Sequence, residues 1–372
     1  MIEFVDLAAQ RRRIEADLQT RLDRVFDHGR YIDGPEVSEL EARLAAEAGV
    51  PHVVACGNGT DALTIALLAL GVGPGAEVIT PAFSYIAAAE AVALIGAQPI
   101  FVDIEPRSYT LDVAAVEQAL SPRTAAIIPV SLFGQCADYD AINAIAARAG
   151  VAVIEDAAQS FGARRHGRSS CGLTRIACTS FFPSKPLGCY GDGGAVFTSD
   201  GDLATIVRQT SRHGQAGRFE HVRVGMNSRL DTLQAAVLLA KLEVFRDELA
   251  SRRAIAARYD QLLADVPAVG RPVVSAGNES VWAQYTVRVP ARDAVRAELQ
   301  RRGVPTAVYY SRTIPEQPAF GGVAGPWPAA ELAAREVISL PMHPYLTPEQ
   351  QQAVVAAFEA SIQAVGWVGS AA

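Results

Sequence analysis

Across its first 245 or so residues the chain alternates short, β-branched apolar runs with Ala- and Leu-rich stretches of helical period. Val53–Cys56, Glu77–Thr80, Pro99–Val102, Ala125–Val130, Val151–Glu155, Ala177–Phe182 and Ala195–Thr198 read as strands. Asp61–Leu70, Ile86–Ile95, Val113–Ala119 and Tyr139–Arg148 read as helices between them. Strand, helix, strand in repetition leaves few architectures, because parallel neighbours need a crossover and the crossover helices cover both faces. The pattern predicts an α/β fold with a mostly parallel sheet flanked by helices. In such sheets a ligand lies beyond the carboxyl ends of the strands.

From Leu230 the pattern changes to a long helical segment, Asp231 to about Leu263, rich in Ala, Leu, Arg and Glu. A stretch bearing Pro267, Gly270, Pro272 and Gly277 comes after it. Next come an alternating strand (Trp282–Val289), a helix (Arg292–Arg302) and a short strand ending at Tyr310. Pro315–Pro328 reads as a loop and Gly366–Ala372 as a loose tail. Two domains are therefore expected, a large α/β domain over residues 1–245 and a smaller C-terminal α+β domain over residues 246–372.

Composition narrows the function. A net charge of -7 argues against nucleic acid or an anionic membrane as partner. The only basic cluster, Arg11–Arg13, sits on a periodic stretch and reads as a solvated helix face. The start, Met1-Ile-Glu-Phe-Val-Asp, carries acids where a signal peptide carries basic and then apolar residues, and no long uncharged apolar run comes later. These features point to the cytoplasm. Five cysteines, an odd number without a Cys-x-x-Cys pair, read as small buried residues. Six histidines without ligand spacing give a metal site little support.

Two residues at strand ends carry the chemistry. Val151-Ala-Val-Ile-Glu-Asp156 closes a β-branched run on an acid, and Lys185 comes just after the next predicted strand in Ser180-Phe-Phe-Pro-Ser-Lys. A lysine in an apolar, proline-bounded turn is placed for desolvation, which favours the neutral, nucleophilic amine. Such an amine forms a Schiff base with the pyridoxal aldehyde and later shuttles protons. A carboxylate beside the pyridine nitrogen keeps that nitrogen protonated and the ring electron-accepting. Alone, Lys185 reads as a surface residue and Asp156 as a helix cap. Together they suit pyridoxal 5'-phosphate.

A third element, Cys56-Gly-Asn-Gly-Thr60-Asp61-Ala62, joins a strand to a helix. Its small residues let an anion approach the backbone, and the helix start offers free N–H groups. The same residues also read as Gly-x-Gly-x-x-Ala, a dinucleotide fingerprint. That reading wants an acid closing the second strand, whereas Glu77 opens it and Thr80-Pro81 closes it. A Rossmann dehydrogenase is the weaker alternative.

Gly57-Asn-Gly-Thr-Asp-Ala-Leu, Glu155-Asp-Ala-Ala-Gln-Ser, Ser180-Phe-x-x-x-Lys185 and Gly191-Asp-Gly-Gly-Ala-Val together resemble the sugar aminotransferases of the DegT/DnrJ/EryC/StrS group. The likeness runs from Phe4-Val-Asp-Leu to Ser339-Leu-Pro-Met-His343-Pro. It implies the aspartate aminotransferase-like architecture, fold type I of pyridoxal phosphate enzymes. By position, Lys185 would hold the coenzyme and Asp156 would pair with its pyridine nitrogen. Gln159 would reach the phenolic oxygen and Phe83 would stack on the ring. Gly59, Thr60, Asp61 and Ser180 would line the phosphate end, joined by Asn227 of the neighbouring subunit in a homodimer. Arg229 would meet a substrate or donor carboxylate, since a guanidinium fork matches one bidentately.

Pro129-Val-Ser-Leu-Phe-Gly-Gln-Cys-Ala-Asp, Phe181 to Gly194 and Arg223-Val-Gly-Met-Asn-Ser-Arg-Leu-Asp look most similar to members that aminate a UDP-linked 2-acetamido-2-deoxy-3-oxo-D-glucuronate with glutamate, which gives 2-oxoglutarate. That resemblance implies a role in surface polysaccharide (O-antigen) synthesis. Where relatives commonly show His-Tyr-Pro, this chain has Tyr309-Tyr310-Ser311, near the expected sugar position. A different keto-sugar, such as a 4-keto-6-deoxy nucleotide sugar, is therefore the alternative substrate. A sugar dehydratase of the same fold is a second alternative, although dehydratases of the group replace the lysine, typically with His. A non-catalytic regulatory protein would leave the retention of Lys185, Asp156 and Gln159 together unexplained.

Overall fold

The computed structural model describes residues 2–266, 269–322 and 325–366. Pro267, residues 323–324 of the expected Pro/Gly loop and the expected tail beyond residue 366 lie outside them. All seven predicted strands of the first half form and enter one sheet. They are β1 (His52–Cys56), β2 (Glu77–Pro81), β3 (Gln98–Val102), β4 (Thr124–Ile127), β5 (Ala152–Asp156), β6 (Ile176–Ser180) and β7 (Gly194–Thr198). The spatial order is β1-β7-β6-β5-β4-β2-β3. β7 runs antiparallel to both neighbours, while the pairs from β6 to β3 are parallel.

The strand runs are continuously apolar because both faces are covered. Along β1, Val53 and Ala55 turn to one core, while Val54 and Cys56 turn to the other. The first core takes apolar residues of α1 (Leu7–His28), α2 (Pro35–Ala48), α5 (Val113–Ala119), α6 (Tyr139–Ala149) and the 31-residue α8 (Thr232–Leu262). The second takes those of α3 (Gly59–Ala69), α4 (Ala87–Leu94) and α7 (Gly201–Thr210). All five cysteines are free and buried. No helix among the described residues is long and apolar enough to cross a membrane.

α8 joins two units. Its Phe245 and Leu249 pack into the first core, whereas Ile255, Ala256 and Tyr259 belong to a third core. That third core is completed by β8 (Tyr285–Arg288), β9 (Val337–Leu340), α9 (Arg292–Arg301) and α11 (Pro348–Ala364). The change of partner thus falls within the helix, between Leu249 and Ile255. Residues after α8 do not all stay with the small unit. Val281 packs in the first core, and α10 (Pro328–Glu336) sends Ala330, Ala333 and Ala334 into the second.

Two predicted strands are shorter than their pattern. Trp282–Val289 narrows to β8, and the run to Tyr310 reduces to a single bridge of Ala307 with Ser339. Past that bridge Tyr309 and Tyr310 leave the strand path, and Tyr310 packs on Phe83 and Tyr85 of the large unit.

An aromatic chain ties α8 to the sheet. Phe245 stacks on Phe161 at 5.6 Å, and Phe161 meets Phe197 of β7 at 5.9 Å. Phe245→Ala is expected to cost about 3–5 kcal/mol and Phe245→Leu under about 1.5 kcal/mol, read from urea unfolding of the two variants.

Candidate active site

The carboxyl ends of the parallel strands open into one cavity of about 430 Å³. Asp156 is the last residue of β5 and is 6% exposed. One carboxylate oxygen accepts the Ala158 N–H at 3.0 Å. Burial raises its pKa, and the nearby Lys185 works in the opposite direction. Lys185 lies beyond β6 on a tight turn in which its N–H donates to the Phe182 carbonyl at 2.9 Å. Part of its side chain faces the cavity, so the residue is only half-buried, yet enough protein surrounds the amine to lower its pKa. Burial is the larger cause, and Asp156 resists it. The cavity wall thus holds an acid and an amine that burial pushes toward their neutral forms while each favours the other's charge.

The opposite end is built by the turn between β1 and α3. Asn58 caps α3, its side-chain oxygen accepting the Asp61 N–H at 2.8 Å. Gly59 and Thr60 line the cavity together with Ser180, the last residue of β6. Gly59 is there for space: a Cβ on it would sit 2.7 Å from the Ser180 Cβ. A helix start, a glycine and two hydroxyls make a site for a dianionic phosphate. Asp61 is not among the lining residues.

Gln159 also lines the cavity. Its Oε1 accepts the Phe133 N–H at 2.8 Å, which fixes the amide orientation and turns Nε2 to the Tyr310 hydroxyl at 3.3 Å. Tyr309 and Tyr310 both line the cavity, so the second half of the chain supplies one wall. Phe83 corrects an expectation. It is fully buried, packed against Tyr109 and edge-on to Tyr310, and does not line the cavity. Tyr85, two residues on and 56% exposed, does.

Asn227 and Arg229 do not reach this cavity. Ser228 between them accepts the Gly57 N–H at 2.9 Å, so their segment runs along the back of the phosphate turn. Asn227 is exposed, and Arg229 has no ion pair or hydrogen bond among the described residues. Lys185 is the only cation among the cavity's described lining residues.

Several lining residues carry weaker sequence signals. Asp192 lies in the Gly191-Asp-Gly-Gly motif, and Asn58 and Ser184 adjoin residues with a clear signal. Gln284, from the second half of the chain, has none. A larger groove of about 600 Å³ between α2, α7 and β1 carries no comparable chemistry. Its Arg208 is paired with Glu41 and its Arg212 with Asp33. No group of three or more potential metal ligands occurs among the described residues.

The chain is similar over nearly its whole length to proteins of known kind. It is 59% identical over 346 residues, 93% of this chain and 96% of the relative, to the UDP-2-acetamido-2-deoxy-3-oxo-D-glucuronate aminotransferase of Pseudomonas aeruginosa. DesV of Streptomyces venezuelae, solved in complex with a ketimine intermediate, superposes with a TM-score of 0.94 at 42% identity, covering 96% of this chain and 98% of that one. NtdA of Bacillus subtilis with bound cofactor PMP superposes with a TM-score of 0.88 at 32% identity, covering 94% and 82%. Residues 12–359 match the family described as DegT/DnrJ/EryC1/StrS aminotransferases, and to that family this chain belongs.

Proposed function

We propose that this protein is a pyridoxal phosphate-dependent aminotransferase that converts UDP-2-acetamido-2-deoxy-3-oxo-D-glucuronate to its 3-amino derivative, with glutamate as donor. The observation that carries the reading is the joint presence of Lys185, Asp156 and the Gly59–Thr60–Ser180 cradle on one cavity. The residues fit the coenzyme: an amine for its aldehyde, an acid for its ring nitrogen and a helix start for its phosphate. Bound there, the coenzyme supplies an electron sink for carbon-acid chemistry. Family membership and the 59% identical relative support the same conclusion, and that relative supports the named sugar.

The protein's own groups have separable tasks. Asp156 holds a proton on the ring nitrogen, and its burial excludes the water that would otherwise compete. Lys185, when its amine is free, takes a proton from one carbon and returns it to another. Burial lowers its pKa, which shifts that amine toward the neutral form that can accept a proton. Gln159 offers Nε2 to the phenolic oxygen, and Tyr85, in place of Phe83, gives the ring an aromatic neighbour. Tyr309 and Tyr310 offer hydroxyls to the sugar.

The substrate carries a uronate and a diphosphate, and glutamate carries two carboxylates. A cavity whose only cation among the described residues is Lys185 is short of positive charge for them. The Arg229 guanidinium has no partner among the described residues and its neighbour Asn227 is exposed, which supports a homodimer in which each subunit lends Asn227 and Arg229 to the other's cavity. A nucleotide-sugar substrate supports a cytoplasmic enzyme of surface polysaccharide synthesis, such as that of an O-antigen.

The purified enzyme is expected to be yellow. Lys185→Ala should remove the visible band of the lysine-linked coenzyme and lower turnover by at least about 1,000-fold, since general acid–base assistance alone is worth about 100- to 10,000-fold. A variant of ordinary activity contradicts the assignment. Mixed dimers of two inactive variants, Lys185→Ala and Asn227→Ala/Arg229→Ala, should regain activity on subunit exchange. Continued inactivity of properly mixed dimers argues against shared sites. With glutamate as donor, the 3-oxo-uronate should be aminated much faster than a 4-keto-6-deoxy nucleotide sugar, with 2-oxoglutarate release as the readout. Equal rates would discard the named sugar and leave the family intact.

A further inference from the structure

A second, much smaller enclosure shares a wall with the coenzyme cavity. Ser184 and Lys185 line both. Its far side is lined by Asp6 and Gln10 at the start of α1, Arg252 of α8 and His343. The space open to the centre of a water-sized sphere is about 10 Å³, close to what one water needs.

Most of the polar wall is already satisfied. Gln10 donates to Glu248 at 2.8 Å, Arg252 donates to the carbonyls of Trp282 at 3.1 Å and Met342 at 3.3 Å, and one Asp6 oxygen accepts the Ala9 N–H at 2.8 Å. His343 differs. It is 3% exposed, and neither ring nitrogen has a hydrogen-bond partner among the described residues. The Glu3 backbone approaches the ring without reaching hydrogen-bond geometry. Buried imidazole nitrogens are rarely left unpaired, because burial strips them of water without replacing it. Lys185 likewise has no side-chain hydrogen bond among the described residues. One pocket of water size is therefore lined by two residues whose side-chain nitrogens each lack a partner among the described residues.

We propose that this enclosure is a water site through which His343 acts on Lys185 as a positioning residue, solvating the amine from the side away from the coenzyme. The assignment rests on the aminotransferase reading of Lys185. The bound water donates to one unpaired nitrogen and accepts from the other, so the ammonium form of Lys185 keeps one hydrogen-bond acceptor after the coenzyme cavity has filled. Burial keeps the His343 pKa below its ordinary value, with Asp6 and the nearby Glu3 backbone raising it and Arg252 lowering it, which favours the neutral ring. Its influence on Lys185 is then one of solvation rather than charge. The charged group that acts directly on Lys185 is Asp156, on the coenzyme side.

The chain contains two lysines, Lys185 and Lys241, which makes the test clean. Enzyme labelled with lysine carrying carbon-13 at Cε gives two side-chain resonances, assigned with Lys241→Arg. In the enzyme loaded with pyridoxamine phosphate the Lys185 amine is free and its titration can be monitored. His343→Phe, which fills the enclosure, should lower the Lys185 midpoint by about one pH unit, since losing solvation disfavours the ammonium. His343→Gln, which keeps a donor and an acceptor, should stay close to the parent. Diffraction from parent holoenzyme crystals should show density within hydrogen-bond distance of both His343 and Lys185, a readout that needs no variant to fold. A dry enclosure, or a midpoint unmoved by His343→Phe, overturns the proposal. Failure of the parent to take up the coenzyme at all would instead overturn the aminotransferase reading.

Discussion

Holding an acid and an amine together at the ends of neighbouring strands, away from water, is the constraint around which this protein is arranged. β5 and β6 pair in parallel with Asp156 opposite Cys178, so the two strands finish side by side and release their chains into the same space. Either charge alone would be costly in that setting, because burial penalises an unpaired ion severely. Side by side, each lessens the cost of the other, while burial moves their proton affinities toward one another. The rest of the sheet serves that arrangement. Both its faces are covered, so its strand ends are the place where buried polar groups can meet a ligand.

Glu155, next to Asp156, shows that the neighbourhood is built to tolerate such burial. Fully enclosed, it accepts from the Ser170 hydroxyl at 2.8 Å and from the N–H groups of Cys171 at 2.9 Å and Leu173 at 3.3 Å. Burial still outweighs these donors, and its pKa is pushed up to about 7. Alternate residues of β5 point to opposite sides of the sheet. One acid therefore pins the 170–173 loop, while its neighbour faces the coenzyme cavity.

Much of this was legible in the sequence because the sheet imposes a period. Each of the seven strands has a two-sided apolar run, and Asp156 and Lys185 sit at or just beyond the place where such a run stops. Gly59 and Thr60 were legible for a different reason: a close anion approach needs small residues at a helix start. Legibility ended where the period ended. Beyond Pro81 the chain leaves β2, and nothing in Phe83-Ser-Tyr85 tells which ring turns inward. Tyr310 fills the gap between them, with its ring 6.1 Å from Phe83 and 6.0 Å from Tyr85, and only the second faces the cavity. Gln284 and His343 were out of reach for the same reason. Their places are set by how the third core docks on the first two, a tertiary fact that no local pattern encodes.

That docking also explains why α8 is so long. A helix whose first half belongs to the first core and whose second half belongs to the third fixes the two units by its own stiffness. Short flexible connections would let the wall formed by Tyr309, Tyr310 and Gln284 drift relative to Lys185, and an error near 1 Å is enough to weaken catalysis. The same helix begins just after Arg229, on the segment that backs the phosphate turn through Ser228. One element therefore sets three distances together: the small unit to the cavity, Arg252 to the enclosure behind Lys185, and the Asn227–Arg229 segment to the turn it braces. A shift of α8 along its axis would disturb all three. In this protein the geometry of the site depends on the packing of one helix more than on any single contact within the cavity.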